Sequence, residues 1–312
     1  MKRLIALLLI FGSVAQSQTI TETFGSGENQ FSIDFVEIGN PGNAADTTGS
    51  PKPAGSVAYT YNIGKYEVSR DMVLKASSAV GLGVTLADMT SYGGNGLDRP
   101  AVGISWNEAA RFVNWLNTSK GYQAAYNFTT SGANDNITLW GAGQYSGSNQ
   151  YRHKDAYYFL PTLDEWYKAA YGSPSGTWYH FPNGSDTAPT AVASGTSANT
   201  AVYAGQSGPA DINDAGGLSP FGTMAQGGNV REWNESAYDG NNDSASEYRE
   251  QRGGFWQLPL LLDATGRSAF GDPTNEYIHD GFRVASIPEP SSLSLLLAGG
   301  AVLMAGRRRR FP

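Results

Sequence analysis

The chain has 312 residues, of which 40% are hydrophobic and 12% aromatic, so it can bury a substantial core within one domain. Its 39 glycines and 15 prolines, with only 16% charged residues, favour a loop-rich fold built from short elements. Cysteine is absent from the sequence, which excludes disulfides, thiolate catalysis and thiolate metal ligands.

The amino-terminal residues have the three zones of a secretory signal peptide. A basic start precedes an apolar run at residues 4–11, and small residues follow up to Ser17. This combination favours a signal peptide over a buried amino-terminal helix. We therefore expect the protein to be exported, with a signal peptide at 1–17 and a linker at 18–30.

The exported domain opens with a predicted strand at residues 31–38, where apolar and polar side chains alternate. Residues 40–55 are rich in Gly, Pro, Asn and Ala, which is typical of a loop. Further strand is predicted at 58–63 and 66–68, before a helix that begins near Ser69.

Two later helices are marked by capping boxes. Ser105 and Glu108 can each satisfy a free backbone N–H at the start of the first helix, and an apolar face follows. Thr162 and Glu165 repeat this pattern, and Gly172 marks the end of the second helix. Because the Gly/Asn/Ser-rich stretches around these helices show no repeat and no sharp change in composition, a single α+β domain is the simplest prediction.

The carboxyl-terminal residues 287–312 have three parts in a fixed order. These are a Pro-Glu-Pro motif, an apolar run and a basic cluster: Pro288, Glu289 and Pro290, then residues 293–306, then Arg307, Arg308, Arg309 and Arg310. The apolar run of 14 residues is shorter than the roughly 20 that span a bilayer comfortably, which suits a transient membrane anchor. The arginines would stay on the cytoplasmic side.

This tail resembles the PEP-CTERM sorting signal of Gram-negative bacteria. The resemblance implies recognition by a membrane protease of the exosortase type, transient anchoring as a short transmembrane helix in the inner membrane, and release to the cell surface or the extracellular matrix. An ordinary carboxyl-terminal membrane helix is the alternative.

The charge of the domain without its two ends bears on its partners. The chain has 21 basic and 28 acidic residues, and removing the basic start and the tail leaves 15 basic and 27 acidic residues, a net charge of −12. Such a domain repels nucleic acid, so we expect no nucleic-acid partner.

Six short motifs follow one another through the domain. They read YEVS at 66–69, RPAVGISW followed by NEA at 99–109, LPTLDEWYKAA at 160–170, GGNVREW at 227–233, RGGFW at 252–256 and GFRV at 281–284. Together they resemble the formylglycine-generating enzyme family, also called the sulfatase-modifying factor domain, over residues 31–286. The resemblance implies a compact, largely irregular domain related to C-type lectin-like folds.

The motifs do not imply that this chain has the catalytic activity of that family. Its founding enzymes oxidise a substrate cysteine with copper held by two cysteines shortly after the RGG motif, where this chain has residues 257–263 and no thiol. Other relatives are non-haem iron sulfoxide synthases with histidine ligands. The histidines of this chain, His153, His180 and His279, have no ligand-like spacing, although separated residues can converge in space. No nucleophile elbow supports a Ser-His-Asp site.

The resemblance also implies a calcium site at the GGNVREW motif. Glu232 matches the carboxylate ligand of the family, and the carbonyl groups of Gly228 and Val230 are further oxygen ligands. Ala225 occupies the position of an Asp or Asn ligand, which argues against the site. In the alternative, Glu232 pairs with an arginine or caps backbone.

Two other features are weaker candidates. Residues 239–250 place oxygen ligands as an EF-hand loop does, but Ser244 replaces the required glycine, so a solvated acidic loop is favoured. Aromatic residues that flank loops could stack on sugars of a polysaccharide partner, although most aromatic residues serve the core. They are Tyr151, Tyr157, Tyr158, Trp178, Tyr179 and Phe181.

The sequence thus predicts an exported surface or matrix protein whose domain is a non-catalytic binding or structural module, with calcium as its one candidate cofactor. The alternative is a non-haem metal-dependent oxidoreductase that uses ligands other than cysteine.

Overall fold

The computed structural model describes residues 19–258, 262–266 and 269–288. The predicted signal peptide at 1–17, the motif residues Glu289 and Pro290, and the tail at 291–312 lie outside the described residues. The helices are α1 (Arg70–Val80), α2 (Trp106–Ser119) and α3 (Leu163–Tyr171). The strands are β1 (Thr19–Phe24), β2 (Phe31–Ile38), β3 (Tyr61–Gly64), β4 (Tyr158–Phe159), β5 (Thr190–Ala191), β6 (Thr200–Ala201), β7 (Arg231–Ala237), β8 (Arg249–Arg252), β9 (Ala269–Gly271), β10 (Asp280–Gly281) and β11 (Ala285–Ser286).

The larger sheet has five strands in the order β1-β2-β3-β11-β4, and each neighbouring pair is antiparallel. Its strand β2 has the predicted boundaries, and most of its apolar side chains are buried. Strand β11, from the carboxyl-terminal part of the domain, lies between β3 and β4. The first and last described parts of the chain are therefore joined in one sheet.

The predicted linker at 18–30 is wrong in its first half, because residues 19–24 form the edge strand β1. All six residues of β1 pair with β2. Phe24 is buried, and its ring centroid lies 5.1 Å from that of Tyr158. Burial of this ring and the backbone hydrogen bonds of the pair give the segment a fixed place in the sheet.

The two strands predicted at 58–63 and 66–68 are replaced by the single strand β3, at Tyr61–Gly64. The chain leaves the sheet after Gly64 because its backbone then pairs with two other segments. The amide of Val68 donates to the carbonyl of Phe282 at 2.9 Å, and the carbonyl of Val68 accepts from the amide of Ala101, also at 2.9 Å.

The second sheet, in the order β10-β7-β8-β9, brings three of the sequence motifs together. In β7, Glu232 lies opposite Arg252 of β8 in an antiparallel pair and opposite Gly281 of β10 in a parallel pair. The motifs GGNVREW, RGGFW and GFRV therefore meet at adjacent strands. The third sheet is the short parallel pair of β5 and β6.

The helices begin where the sequence predicts. Ser69 caps α1, and both predicted capping boxes are formed, by Ser105 with Glu108 at α2 and by Thr162 with Glu165 at α3. The apolar face of α2 packs against β4 in the main core, and α3 packs against β7. The structure is thus a single α+β domain with long irregular connections. Across the described ranges, no helix is both long and apolar enough to cross a membrane.

Candidate functional site

The loop before β7 is held against the RGGFW motif by a glycine that cannot be replaced without strain. Gly228 has φ of 99°, and a Cβ atom there would lie 2.4 Å from the carbonyl oxygen of Val202. Its amide donates to the carbonyl of Gly253 at 2.6 Å. The two glycine motifs are therefore hydrogen-bonded to each other.

Asn229 is the centre of a buried polar group. Its φ of 55° is left-handed, a conformation that Asn adopts more readily than most side chains. Its Nδ2 donates to Glu67 Oε2 at 2.5 Å, and its Oδ1 accepts from the amide of Ala210 at 2.8 Å. Burial, followed by the nearby charge of Glu232, raises the pKa of Glu67 well above its ordinary range.

Glu232 is the second carboxylate of this group, and it is paired on both oxygens. Arg283 Nε donates to Oε2 at 2.6 Å, and Arg283 Nη2 donates to Oε1 at 2.5 Å. Trp166 Nε1 also donates to Oε2, at 2.7 Å. All three side chains are fully buried. This is the arginine pairing that the sequence leaves open as the alternative to calcium.

Both carboxylate oxygens of Glu232 therefore already accept hydrogen bonds from Arg283 and Trp166, so the carboxylate does not need a cation as a partner. A calcium ion held by Glu232 and the carbonyl groups of Gly228 and Val230 would have to displace the guanidinium of Arg283. Ala225, at the position where the family has an oxygen ligand, has φ of 65°, and its side chain is only a methyl group. Calcium binding here stays a prediction, and this geometry does not favour it.

Little space remains beside Gly227, at the start of the GGNVREW loop. A Cβ atom on Gly227 would lie 2.8 Å from the ring of Pro182 and 3.5 Å from the Cβ atom of Leu262. The cavity next to it has a volume of only about 20 Å³. That space holds roughly one water molecule and no organic substrate.

The segment after RGGFW has no ligand set for copper among the described residues. Residues 259–261 lie outside the described residues. The carbonyl groups of Gln257 and Leu258 accept from the amides of Gly205 and Ala204, so this backbone pairs with a neighbouring loop. Asp263 Oδ1 accepts from the amide and the hydroxyl of Thr265. Soft cuprous copper is not held by such oxygen donors.

The three histidines do not converge. His153 packs edge-on against Trp140, and His279 stacks on Phe255 with 4.4 Å between ring centroids. His180 Nε2 lies 4.0 Å from Asp263 Oδ1. Over the part of the chain that the structure describes, no three His, Asp or Glu side chains are grouped as a metal would require.

The acidic stretch at 239–250 is a loop up to residue 248, and its last two residues, Arg249 and Glu250, begin β8. The amide of Asn241 donates to Asp239 Oδ1 at 2.8 Å, and the carboxylate of Glu247 accepts from the hydroxyl of Tyr151. Asn242 points inward, where its Oδ1 accepts from the amide of Ala237. The side chains at two of the EF-hand ligand positions, Asp239 and Glu247, thus make contacts within the protein.

The aromatic residues considered for sugar stacking divide into two groups. Tyr151 and Tyr158 are fully buried and belong to the main core, so these two are wrong as stacking candidates. Tyr157 stacks on Tyr122 with 4.7 Å between ring centroids. Trp178 and its neighbours Tyr179 and Phe181 are partly exposed.

A second charged group, which no sequence motif indicated, is centred on Arg152. Its nitrogens lie 3.2 Å from Glu235 Oε2 and 3.7 Å from Glu165 Oε1, and its guanidinium lies 3.8 Å from the ring centroid of Phe159. Burial raises the pKa of Glu235 to about 7. The only sequence signal was a second carboxylate close behind the GGNVREW motif, which no local pattern connects with Arg152.

Comparisons with known proteins agree with this architecture. The sequence matches the family described as the Sulfatase-modifying factor enzyme 1-like domain, FGE-sulfatase, over residues 32–287. A search of curated proteins found no match.

Among solved structures, Treponema denticola variable protein 1 is similar, with a TM-score of 0.59, 18% identity, and coverage of 86% of this chain and 99% of that one. CarF has a TM-score of 0.58 and 18% identity over 82% of this chain and 99% of its own. PvdO from Pseudomonas aeruginosa has a TM-score of 0.53 and 18% identity over 86% of this chain and 98% of its own. At this identity the likeness concerns the fold alone. Because the family match spans most of the sequence and the motif strands meet in one site, the chain belongs to the Sulfatase-modifying factor enzyme 1-like domain family.

Proposed function

We propose that the domain is a non-catalytic member of its family and acts as a binding or structural module outside the cell. The observation that carries this proposal is the filled space beside Gly227. A Cβ atom on Gly227 would meet Pro182 and Leu262, and the cavity beside it has a volume of about 20 Å³, which is too small for an organic substrate. The chain also has no thiol with which to bind copper.

Export and sorting form the second part of the proposal. The sequence of the two ends supports a signal peptide and a PEP-CTERM signal read by an exosortase-type protease. The fold is compatible with cleavage there, since the sorting motif begins at Pro288, directly after β11 and after Ile287, whose amide donates to the carbonyl of Tyr157 at 3.1 Å. Removal of the tail would leave in place every strand that the structure describes.

The test of the non-catalytic role combines metal analysis with an activity assay. The purified full chain, loaded with copper, is incubated with a sulfatase-type cysteine peptide, and mass spectrometry is used to look for the aldehyde product. We expect no turnover above a metal-only control. Turnover, or stoichiometric iron or copper in the protein as isolated, would overturn the proposal.

The sorting proposal has its own test. The tail should be missing from protein recovered outside the cells, and replacing Pro288 and Pro290 by Ala should leave an uncut, membrane-bound form. Recovery of secreted protein that still carries Arg307 to Arg310 would contradict it.

A metal-dependent oxidoreductase is the second candidate function, favoured by one contact. His180 and Asp263 lie 4.0 Å apart near the segment where the family binds copper, and imidazole with carboxylate is a ligand pair for iron. If this function is correct, iron should copurify with the chain and be lost in His180→Ala, whereas His153→Ala should retain it.

A further inference from the structure

A groove of about 460 Å³ opens beside Arg152, within the usual size range of sites for small ligands. It is lined by the exposed residues 146–148 and also by Tyr59, Phe159 and Ile287. Among the described residues, none that lines the cavity beside Gly227 also lines this groove. The groove is therefore separate from the site that the family motifs build.

Arg152 brings unused hydrogen-bond donors to this groove. Its side chain is 15% exposed, stacked on Phe159 and ion-paired with Glu235 and Glu165, but it makes no well-aligned hydrogen bond to any residue that the structure describes. Every other described arginine donates at least one. Two ion pairs do not occupy all five N–H donors of a guanidinium, so this fixed side chain can also bind an acceptor from outside the protein.

The charges around the groove select against an anionic ligand. Glu165 and Glu235 lie on either side of Arg152 and offset its charge. The other cation at the rim, Lys154, is paired with Asp155 at 2.8 Å. An anion would be repelled by the two carboxylates, whereas the oxygen of a neutral hydroxyl can accept from Arg152 without that penalty.

Tyr59 adds an exposed aromatic ring. Tyr59 is 42% exposed, and its hydroxyl donates to Glu165 Oε1 at 2.6 Å, which fixes the side chain at the edge of the groove. The ring of Tyr61 meets it edge-on, with 6.2 Å between centroids. A rigid ring whose polar end is already bonded offers an apolar face next to hydrogen-bond donors.

We propose that this groove binds a neutral saccharide, with the C–H face of one sugar ring on Tyr59 and its hydroxyl oxygens accepting hydrogen bonds from Arg152. Sugars combine the apolar face and the uncharged acceptors for which the groove is built. The hydroxyls of Ser146 and Ser148 at the exposed rim can bind the rest of a short chain. The inference rests on the proposed function, because it names the ligand class of a binding module.

The purified full chain, in mild detergent, is applied to an array of neutral and acidic oligosaccharides, and the best neutral ligand is then titrated by calorimetry. We expect neutral sugars to bind, and we expect the Kd to rise about tenfold in Tyr59→Ala because binding is weaker. Tyr277→Ala is the matched control, because this ring is 43% exposed but lies outside the groove, and it should bind as the unchanged protein does. Ser148→Trp, which fills the rim without altering the core, should weaken binding as Tyr59→Ala does.

Absence of binding to neutral sugars, binding of acidic sugars alone, or equal losses in Tyr59→Ala and Tyr277→Ala would overturn the saccharide site. None of these outcomes contradicts the non-catalytic role. Only enzymatic turnover, or stoichiometric iron or copper in the isolated protein, would contradict that role. Thermal melts of each variant show whether a loss of binding comes from unfolding; in that case the result for Ser148→Trp decides.

Discussion

The guanidinium of Arg283 holds both oxygens of Glu232 and at the same time donates to the backbone carbonyl groups of Gly64 and Met224, each at 2.9 Å. Its contacts join the end of β3, the loop before the GGNVREW motif and strand β7. Because the pair is fully buried, its energy depends on every donor and acceptor having a partner.

Replacing Arg283 by Met should reduce the free energy of unfolding by about 3–5 kcal/mol, because Glu232 would remain buried and unpaired. Chemical denaturation measures the change. The double variant Arg283→Met with Glu232→Gln should recover part of the loss, since it removes the uncompensated charge. Equal stability of the single variant and the unchanged protein would show that the pair contributes nothing.

Trp166 directly follows the capping box of α3 and donates a hydrogen bond to Glu232. Two substitutions can separate the contribution of its packing to stability from that of its hydrogen bond. Trp166→Ala should cost about 3–5 kcal/mol through the cavity left in the core. Trp166→Phe keeps much of the ring but removes the donor to Glu232, and should cost about 1–3 kcal/mol. Melting temperatures that do not follow this order would contradict the assigned role.

Gly228 should tolerate no side chain. In Gly228→Ala, the left-handed backbone and the contact with Val202 both act against folding, and we expect a loss of about 1–3 kcal/mol or more. Gly39→Ala is the matched control, because a Cβ atom there meets nothing within 4 Å and the change should be within about 0.5 kcal/mol. A similar melting temperature for the two variants would contradict the close approach at Gly228.

The carboxylate of Glu108, in the capping box of α2, should make the free energy of unfolding depend on pH. Burial raises the pKa of Glu108 from 4.5 to about 7, so the folded state holds this proton more tightly than the unfolded state. The resulting stability is present below pH 4.5 and is lost as the pH rises through about 7. Glu108→Gln keeps an amide oxygen for the cap at Ser105 and does not titrate.

The melting temperature of Glu108→Gln, relative to the unchanged protein, should therefore rise between pH 5 and pH 8. A change of 1 kcal/mol corresponds to about 2–4 °C for a domain of this size. All other titrating groups are common to the two proteins, so their contributions largely cancel. A difference that stays constant over this range would rule out the raised pKa of Glu108.

The parts of the fold that sequence predicted are those whose signals are local. A capping box lies within four residues, so Ser105 and Thr162 identified α2 and α3, and the alternation of β2 gave its limits. Strand β1 was missed because its more buried face is formed by Ile20, Glu22 and Phe24, so a charged residue interrupts the apolar side of the alternation.

The candidate site was predictable only as a set of motifs. The sequence indicated that Gly228 and Glu232 belong to one motif. It allowed Glu232 to pair with an arginine, but it did not identify that arginine as Arg283. The groove could not be predicted, because Arg152, Glu165 and Glu235 come together only through the packing of α3 and β7 with the loop before β4. Such contacts between distant segments leave no periodic signal in the sequence.

The position of β11 has a consequence for the order of events in the cell. A polypeptide leaves the ribosome amino end first, but β3 and β4 have no partner on their facing edges until residues 285–286 arrive between them. Closure of the sheet must therefore wait until nearly the whole domain has been synthesised, in whichever compartment it folds. A chain that stops a few residues early would expose two strand edges, which are templates for pairing with other chains and for aggregation.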